Sequence, residues 1–552
     1  MRPPAQPVPF GQIDERADQV MVPMRDGVRL ATDVYLPAEP ARHPTVLVRL
    51  PYDKSGRFSF MPQASRLFNE RGYAFVAQDV RGKVRSEGKR EPFVHELPDG
   101  WDTLEWIAAQ PWSNGVVGMF GDSYYGFTQW AAAASGHPAL RAIVPRMTST
   151  RIGNDWFHRQ GVVCLYQVAE WAAQTWVDEA LYEDVPNFSV RPLANVVSVV
   201  HGGRRSPSFD RWIRISPSDP SWTSGIFGEV DPPATLRIPA LHSGGWWDVL
   251  QQGQVDDFLT AHGSGALGQH LIMGSTDHFD DPLLEDGEPV EDFLESEEAL
   301  ERFLPTYVGP ALEFFERHLL GREGPEIPVV RWHLANESWR VAETWPPPGA
   351  RLLRLHLAAG ARALDGAEGG ALADSPDSAG IDVPWVHDPA DPVPDLIEDP
   401  WRSLLGLPDE REVESRTDVL TFTGEPASEP LDLAGPVRVS ARLSGTGPIA
   451  HLAAKLVDVY PSDRARRILQ GIALVADPSE GATVALELGH TGYRVRPGHR
   501  LRVELAASDF PRYLLDPGTG EDPWTATRTT PAERSVRIGG TEGAALELTV
   551  PP

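Results

Sequence analysis

The spacing of apolar and polar residues divides the chain into four segments. Over residues 1–148, apolar strand-like runs alternate with helix-like runs, which is the rhythm of an α/β sheet. Residues 149–234 break this rhythm with helical segments, proline loops and many aromatic residues. The α/β pattern resumes over residues 235–324, where an amphipathic run ends at a glycine. Over residues 325–552 the apolar period becomes two, with short strands between Gly, Pro and Asp turns, which is typical of a β-sandwich.

This division predicts the domain organisation. Because 552 residues exceed what one hydrophobic core supports, we expect an α/β core built from residues 1–148 and 235–324, a helical cap inserted as residues 149–234, and a C-terminal β-sandwich of residues 325–552. The Ala-, Gly-, Asp- and Pro-rich stretch at 358–395 is expected to be a long loop or a partly ordered crossover. Most aromatic residues of the cap should pack in the core, and some should line an apolar pocket. They include Trp156, Phe157, Trp171, Trp176, Trp212 and Trp222.

A serine lies at a predicted sharp turn between a strand and a helix. Residues 121–126 read Gly-Asp-Ser-Tyr-Tyr-Gly and join the apolar run at 116–120 to a helix-prone run at 128–134. A strand, a tight turn carrying Ser123 and a helix is how an α/β-hydrolase displays its nucleophile, and the N–H groups of the helix N-terminus can stabilise a developing oxyanion. Taken alone, the string fits an N-capping serine at an ordinary turn equally well. It predicts acyl transfer when a base and an acid accompany it.

An acid and a histidine follow in the order that an α/β-hydrolase requires. Asp248 comes just after a short buried strand and a glycine turn, and His278 lies in the loop after the next strand. Because Ser123 also follows a strand, parallel pairing would bring all three loops to the carboxyl edge of one sheet. Serine is a poor nucleophile until a histidine takes its proton, and the histidine needs a carboxylate to fix its tautomer. The spacing therefore predicts a Ser-His-Asp triad.

Other residues of similar chemistry fit these roles less well. Asp277 adjoins His278, and because neighbouring side chains usually point apart, we expect it to make a loop hydrogen bond instead. His242 lies inside an apolar strand and is expected to be a core histidine. His158 and His201 fall in the cap segment and are expected at most to contact a substrate.

Short motifs along nearly the whole chain carry a family resemblance. In the first half they are Arg-Leu-Pro-Tyr-Asp-Lys at 49–54, Gln-Asp-Val-Arg-Gly at 78–82, Arg-Ser-Glu-Gly at 85–88, Gln-Pro-Trp-Ser-Asn-Gly at 110–115, the serine turn at 121–126 and Gly-Gly-Trp-Trp-Asp at 244–248. In the second half they lie at 455–461, 496–503 and 508–512. With these motifs the chain resembles the CocE/NonD hydrolases, the group of cocaine esterase, α-amino-acid ester hydrolases and X-Pro dipeptidyl-peptidases. Tyr125, at the place where the strict motif has glycine, is usual in that group.

The resemblance implies a role for each site residue. Ser123 would be the nucleophile, His278 the general base and Asp248 the carboxylate that orients it. The oxyanion hole would combine the backbone N–H of Tyr124 with the phenol of Tyr52. The resemblance also implies the fold: an α/β-hydrolase core with an inserted helical cap and a C-terminal jelly-roll-like β-sandwich, which would shield the active-site edge rather than do chemistry.

Tyr52 also fits its role on physical grounds. It follows the β-branched strand at 45–50, so it should lie at the same sheet edge as the three other loops. A phenolic O–H is a suitable donor to a developing negative charge. The alternative is a purely structural tyrosine that packs on Pro51.

One motif departs from the family pattern. Members of the group usually carry Gly-Pro-Trp-x-His before the catalytic histidine, whereas residues 274–278 read Gly-Ser-Thr-Asp-His. Because the Pro-Trp pair is missing, we expect this chain to lack a rigid aromatic wall near its active site. Its substrate preference should therefore not be inferred from that of any one relative.

Composition narrows the range of partners. The net charge of −28, from 78 acidic and 50 basic residues, argues against a nucleic-acid partner. The N-terminus lacks the apolar core of a signal peptide and no segment approaches about 20 apolar residues, so we expect no membrane association and a cytoplasmic location. Cys164, the single cysteine, excludes an intrachain disulfide and lies in an apolar helical stretch typical of a core position.

Motifs for metals or organic cofactors are not found. The sequence contains no phosphate-binding loop, no His-Glu-x-x-His helix and no cysteine cluster, so neither a metal nor a cofactor is implied. The expected partner is a small-molecule ester or amide substrate. The oligomeric state is left open, with a homo-oligomer among the options.

We therefore predict a serine hydrolase that cleaves a carboxylic ester or amide through an acyl-enzyme. One alternative is an exopeptidase of the X-Pro dipeptidyl-peptidase type, but those relatives have an extra N-terminal domain for which residues 1–20 leave no room. Another is a non-catalytic binding protein on a hydrolase fold, with the β-sandwich recognising carbohydrate. The presence of all three residues, Ser123, Asp248 and His278, favours catalysis, because a protein that no longer catalyses a reaction has no need to keep them.

Overall fold

Two large β-sheets organise the protein. The structure, a computed structural model, describes residues 3–284, 291–358 and 369–552. Up to residue 342 the strands are β1 (Asp18–Pro23), β2 (Arg29–Tyr35), β3 (His43–Leu50), β4 (Ala74–Asp79), β5 (Ser113–Asp122), β6 (Leu140–Arg146), β7 (His158–Arg159), β8 (Val162–Val163), β9 (Ala240–Gly245), β10 (Gln269–Gly274), β11 (Val330–His333) and β12 (Trp339–Ala342). The helices of this part are α1 (Met61–Glu70), α2 (Glu96–Ala108), α3 (Ser123–Ser135), α4 (Leu165–Thr175), α5 (Val196–Val200), α6 (Pro207–Trp212), α7 (Ser224–Phe227), α8 (Pro232–Thr235), α9 (Gln251–Gly263) and α10 (Glu297–His318).

The first sheet is mainly parallel. Within the described residues its ten strands have the spatial order β1-β2-β4-β3-β5-β6-β9-β10-β11-β12. The strands from β4 to β11 in this order run parallel. At the two edges, β2 is antiparallel to both β4 and β1, and β12 is antiparallel to β11. Parallel strands need crossover helices, and here the helices α1, α2, α3, α9 and α10 connect them. The carboxyl ends of β3, β5, β9 and β10 consequently share one edge.

Helices cover both faces of this sheet. Successive residues of β3 belong to different cores, with Leu47 in one and Val46 and Val48 in the other, as the two-residue period of a strand requires. The core that contains Leu47 also holds α2, α3 and the aromatic residues of the cap. The other core holds α1 and α10. Burial on both faces explains why β3 and β4 read as continuous apolar runs.

The segment between β6 and β9 forms the inserted helical cap. It contains the short helices α4 to α8, a π-helical turn at Ile152–Phe157 and the hairpin of β7 and β8. Its aromatic rings pack on one another, for example Trp212 and Trp222, whose ring centroids lie 4.8 Å apart. The cap is therefore held largely by aromatic packing, on the face of the sheet that α2 and α3 cover.

The second sheet forms the C-terminal jelly-roll-like β-sandwich. Its elements are β13 (Arg351–Ala358), β14 (Gly370–Ala373), β15 (Ile381–His387), α11 (Arg411–Glu414), β16 (Leu420–Thr423), β17 (Leu431–Gly445), β18 (Ile449–Val459), β19 (Ala465–Ala476), β20 (Ala482–Val495), β21 (Arg500–Ala506), β22 (Ala532–Ile538) and β23 (Ala545–Val550). The strands have the order β15-β22-β17-β23-β13-β14-β16-β21-β18-β19, with β20 paired to β17, and they surround one apolar core. The predicted fold class is thus confirmed.

The sandwich docks on both the core and the cap. The backbone N–H of Leu404 donates to Asp277 Oδ2 (2.9 Å), in the loop after β10. In the cap, Gln160 Nε2–H donates to the carbonyl of Glu487 (3.0 Å). Arg402 forms ion pairs with Asp281 (2.8 Å) and with a second aspartate of the α/β part. These contacts bring the segment around residue 400 over the carboxyl edge of the first sheet.

The first sheet extends beyond the predicted boundary at residue 324. β11 pairs in parallel with β10 and β12 follows it, so this sheet continues to Ala342. The stretch at 358–395, expected to be a long loop or a partly ordered crossover, contains β14 and β15, although residues 359–368 lie outside the described part. No helix in the described ranges combines the length and apolar character that a membrane span requires.

Candidate active site

Ser123 occupies a strained turn between β5 and α3. Its φ angle is +51°, in the left-handed region that non-glycine residues rarely adopt. Such strain persists only where the surrounding structure enforces it, and it clusters at functional sites. Here the turn places Ser123, which is only 8% exposed, at the first position of α3 and at the carboxyl edge of the sheet.

The two glycines of the motif make room for this turn. A Cβ on Gly121, whose φ is +137°, would lie 2.0 Å from the ring of Tyr125. A Cβ on Gly126 would lie 2.8 Å from the side chain of Thr148, just beyond β6. Gly121 therefore accommodates Tyr125, and Gly126 lets α3 approach the neighbouring strand. This explains why the second glycine stands one place later than in the strict motif.

Backbone pairing continues beyond β9 and β10 and aligns their loops. Trp246 N–H donates to the carbonyl of Gly274 (3.0 Å), and Trp247 N–H donates to that of Thr276 (3.0 Å). A Cβ on Gly245 would lie 2.1 Å from the Thr276 carbonyl oxygen, so only glycine allows so close an approach. The Gly-Gly-Trp-Trp motif thus brings the residue after it, Asp248, next to the loop that carries the histidine.

Ser123, His278 and Asp248 form a continuous hydrogen-bonded chain. His278 Nε2 lies 3.0 Å from Ser123 Oγ, and His278 Nδ1 lies 2.7 Å from Asp248 Oδ1. Because a carboxylate can only accept, Nδ1 carries the proton and Nε2 is left to accept from the serine hydroxyl. Asp248 is 3% exposed and is held by the backbone N–H of Leu250 (3.0 Å). An arrangement of this kind can activate a serine hydroxyl toward an acyl carbon.

Asp277 has different partners. Its carboxylate accepts hydrogen bonds from the backbone N–H groups of Phe279 (3.1 Å), Asp281 (3.1 Å) and Leu404 (2.9 Å). Burial, together with the charge of Asp281, raises the pKa of Asp277 well above its usual range. The residue therefore shapes the loop of His278 and attaches the β-sandwich to it.

The other three histidines considered from the sequence, and the cysteine, are buried. His242 is fully buried, and burial lowers its pKa to about 4. His158 Nδ1 lies 2.7 Å from the Gly153 carbonyl, and His201 Nε2 lies 2.8 Å from that of Ala173. Burial raises the pKa of the Cys164 thiol to about 11. A thiol of this kind is not a reactive nucleophile.

Tyr52 and Tyr124 approach Ser123 in different ways. Tyr52 lies just after β3, and its hydroxyl accepts a hydrogen bond from Trp171 Nε1–H (3.0 Å). Burial raises the pKa of Tyr52 to about 12, against the opposing effect of hydrogen bonds with Trp171 and Ser123. The side chain of Tyr124 is buried, and its hydroxyl donates to Glu96 (2.7 Å). Its backbone N–H lies in the first turn of α3, where N–H groups lack intrahelical acceptors.

Ser123 and His278 open into a largely aromatic cavity of about 270 Å³. The six cap aromatics named from the sequence all lie within the described ranges. Of these six, only Trp171 lines the cavity. The others pack in the buried core. Most of the aromatic lining comes from other parts of the chain: Tyr52, Phe58, Phe60, Tyr125, Phe279, Phe293, Phe303, Tyr307 and Trp401. The cavity therefore suits a small ligand with an apolar or aromatic group.

Comparison with known proteins identifies the family. Residues 26–280 match the model of the X-Pro dipeptidyl-peptidase (S15) family, and residues 326–545 match that of the X-Pro dipeptidyl-peptidase C-terminal non-catalytic domain. The chain is 32% identical to the cocaine esterase of Rhodococcus sp. (strain MB1 Bresler) over 556 residues, which cover 91% of this chain and 92% of the relative. The chain belongs to the CocE/NonD group of S15-family serine hydrolases. The predicted resemblance is confirmed.

Two solved structures share the fold of this chain. An α-amino acid ester hydrolase superposes with a TM-score of 0.81 at 26% identity, and the match covers 98% of both chains. An aminopeptidase from a marine sediment Thaumarchaeota archaeon superposes with a TM-score of 0.82 at 23% identity over 99% of both chains. The second match shows the fold alone.

One expectation about this CocE/NonD chain is wrong. The missing Pro-Trp pair before His278 does not leave the histidine without an aromatic wall. Trp401 of the β-sandwich lies against the His278 ring, with centroids 4.7 Å apart, and Phe279 lies on another side at 6.0 Å. Trp401 belongs to an Asp-Pro-Trp-Arg run at 399–402, so a Pro-Trp pair is supplied from 120 residues further along the chain. No local signal connects that run to the histidine.

Arg146 balances two carboxylates beside the serine. Its guanidinium lies 2.7 Å from Asp122 Oδ1 and 2.5 Å from Asp280 Oδ2, and it stacks 4.5 Å from the ring centroid of Tyr307. Burial raises the pKa of Asp280 to about 6, although the charge of Arg146 opposes this. The ion pairs tie the loop of His278 to the strand before Ser123. The sequence analysis did not identify this group. Asp122 and Asp280, which lie close in sequence to the serine and the histidine, are the signal that could have indicated it.

Glu170 is a buried carboxyl group in the wall of the cavity. It accepts hydrogen bonds from Trp401 Nε1–H (2.7 Å) and from the side-chain amide of Gln174 (2.6 Å). Burial, and then the charge of Asp399, raise the pKa of Glu170 to about 8. Near neutral pH the group is therefore mostly protonated, and it joins the cap to the sandwich directly above His278. Sequence reasoning missed Glu170 and Asp399, since nothing local distinguishes them from surface acids.

Proposed function

We propose that the protein hydrolyses carboxylic esters or amides of small molecules through an acyl-enzyme on Ser123. The observation that carries this proposal is the hydrogen-bonded chain from Asp248 through His278 to Ser123, which opens into the aromatic cavity. Family membership supports the same class of chemistry, because the matching family is that of S15 X-Pro dipeptidyl-peptidases and one relative is named a cocaine esterase.

The roles follow from the contacts. His278 Nε2 takes the proton of Ser123 as the hydroxyl oxygen attacks the acyl carbon, and it then gives that proton to the leaving alcohol or amine. Asp248 stabilises the imidazolium that forms between these steps. A water molecule, activated by the same histidine, hydrolyses the acyl-enzyme and returns the serine. The backbone N–H of Tyr124 and the hydroxyl of Tyr52 stabilise the oxyanion in both halves of the reaction.

The experiment that tests this role changes the nucleophile alone. Ser123→Ala is expected to abolish both ester hydrolysis and labelling by a fluorophosphonate probe, while the unfolding temperature stays close to that of the wild type because the side chain is small. Activity is measured with an aryl ester, and labelling by intact-protein mass. A Ser123→Ala protein that kept more than a few per cent of the activity would show that the nucleophile is another residue. A wild-type protein that the probe does not label would favour the non-catalytic alternative.

The cavity wall supports a second, narrower candidate. Glu170 and Asp399 line the cavity, and one of the similar structures is named an α-amino acid ester hydrolase. An ammonium group on the acyl side of a substrate would favour the ionised form of these two carboxyl groups and would be attracted by it. Methyl phenylacetate and methyl phenylglycinate differ only in this amino group, so their kcat/KM values decide between the candidates. A higher value for phenylglycinate supports amino-acid substrates, and a lower value supports neutral aromatic acids.

A further inference from the structure

Trp171 connects the cap to the proposed oxyanion hole. It lies near the middle of α4 and is 6% exposed. Its Nε1–H donates to the hydroxyl oxygen of Tyr52 (3.0 Å). The cap thus contacts, through one hydrogen bond, a group that the proposed mechanism uses.

The direction of this hydrogen bond decides what it does. An indole N–H can only donate, whereas a phenol has one proton to donate and two lone pairs that accept. Because Trp171 occupies a lone pair of the Tyr52 oxygen, the Tyr52 proton cannot be used on Trp171 and stays available for the Ser123 side of the cavity. The hydrogen bonds with Trp171 and Ser123 both lower the pKa of Tyr52 relative to the effect of burial. A phenol that accepts such a bond is also the stronger donor, since hydrogen bonds in a chain polarise one another.

The indole of Trp171 is itself held in place. Its ring contacts those of Phe93, Tyr124 and Trp176, with centroids 5.6, 5.7 and 5.0 Å away. The preceding residue, Glu170, is fixed by Trp401 from the sandwich. Trp171 is therefore rigid enough to define where the Tyr52 hydroxyl sits.

We propose that Trp171 is a positioning residue of the oxyanion hole, which fixes the Tyr52 hydroxyl so that its proton points to the developing oxyanion. The inference rests on the proposed function, because it needs Tyr52 to donate in the transition state. It means that the oxyanion hole is complete only when the cap is docked. Trp171 has no direct contact with the reacting atoms in this role.

The chain offers a matched control for the test. Trp171→Phe removes the indole N–H and keeps an aromatic ring. Trp176 packs against Trp171, is 1% exposed, and its Nε1 has no hydrogen-bond partner among the described residues. Trp176 also does not line the cavity. Trp176→Phe therefore makes the same chemical change in the same cluster without touching Tyr52.

The expected result is a separation of kcat from KM. Trp171→Phe should lower kcat for an aryl ester roughly tenfold, the effect of one hydrogen bond, with KM changed less than threefold. Trp176→Phe should stay within twofold of the wild type in both constants. In a Tyr52→Phe background, Trp171→Phe should have no further effect on kcat, because the hydroxyl that it positions is gone.

Three results would overturn the inference, and they separate it from the proposed function. Equal kcat values for Trp171→Phe and Trp176→Phe would show that the N–H is irrelevant. Multiplying losses in the double variant would show that Trp171 acts through packing. Full activity of Tyr52→Phe, in an enzyme that still loses activity on Ser123→Ala, would reject the oxyanion role of Tyr52 and the Trp171 role with it.

A second pair of variants replaces Trp171→Phe if that protein does not fold. Trp171→His keeps a ring N–H and Trp171→Leu does not, so the histidine variant should have the higher kcat. Equal kcat values for these two variants would also overturn the inference.

Discussion

The carboxyl edge of the first sheet and the roof of the cavity above it are built in different ways. At the edge, Ser123, Asp248 and His278 each come just after a parallel strand, and strand register brings them together. In the roof, Glu170 comes from the cap and Trp401 from the β-sandwich, more than 200 residues apart in sequence. The edge is specified by local motifs, whereas the roof depends on the docking of separate domains.

This difference suggests a division of labour. In the proposed mechanism the residues at the edge act on the reacting atoms, so changing them should lower kcat. Glu170 and Trp401 in the roof line the cavity and would contact a ligand in its ground and transition states alike, so changing them should alter KM and stability. The predictions below test that division.

The largest effect is expected at the acid of the triad. Asp248→Asn keeps the shape but donates where the carboxylate accepted, so the wrong histidine tautomer faces Ser123. The same change in serine proteases lowers kcat by roughly 10⁴, and we expect a loss of that order. Asp277→Asn should lower kcat less than about tenfold, because the Asp277 carboxylate accepts from three backbone N–H groups rather than from His278. Steady-state kinetics of both variants measure the contrast.

Asp277→Asn should nevertheless lower the unfolding temperature. An asparagine offers one acceptor oxygen where the carboxylate has two, and its amide would face the N–H of Leu404. If Asp277→Asn lost the greater part of kcat and Asp248→Asn did not, the orienting role would pass to Asp277, against the observed hydrogen bonds.

The next effect is expected in the roof. Trp401→Ala removes a ring that lines the cavity and lies against His278. Aromatic contacts contribute about 0.5–1.5 kcal/mol beyond area burial, so we expect KM for an aromatic ester to rise roughly threefold to tenfold, with a smaller change in kcat. Trp385, in β15 of the same sandwich, is similarly buried and does not line the cavity, so Trp385→Ala is the control and should leave KM unchanged. A fall in kcat at constant KM for Trp401→Ala would place Trp401 with the edge residues.

How far the sequence predicts each region follows from the range of its interactions. The serine turn, the Gly-Gly-Trp-Trp-Asp motif and the strand before His278 are contiguous signals, and parallel pairing is enough to bring them together. The position of Trp401 depends on how the β-sandwich packs on the first sheet, and most strands of that sandwich come after Trp401 in the sequence. Two centroids 4.7 Å apart belong to residues 123 positions apart, and no periodicity encodes such a contact.

The missed strands have similar causes. β15 contains Pro384 within an Ala-, Gly- and Asp-rich stretch, which reads as a loop. It is nevertheless stable at the edge of its sheet, where a missing N–H is tolerated, because it pairs with β22 about 150 residues later. Likewise β11 is too short to be recognised alone, and its place beside β10 is set by sheet pairing.

The smallest effect concerns the bond that joins cap to sandwich. Because the pKa of Glu170 is raised to about 8 from its ordinary 4.5, the folded protein binds a proton there that the unfolded chain has already lost at intermediate pH. This contribution to stability is therefore greatest below about pH 4.5, decreases as the pH rises toward 8, and changes no further above that.

Glu170→Gln cannot ionise, and its amide oxygen can still accept from Trp401. Thermal melts should thus show that the unfolding temperature of Glu170→Gln, relative to that of the wild type, is a few degrees higher at pH 9 than at pH 5. Glu313→Gln, at an exposed position of α10, is the control and should show no such trend. Parallel melting curves for Glu170→Gln and the wild type would show that the Glu170 carboxyl ionises equally in the folded and unfolded chain, and that the roof is not held by a protonated link.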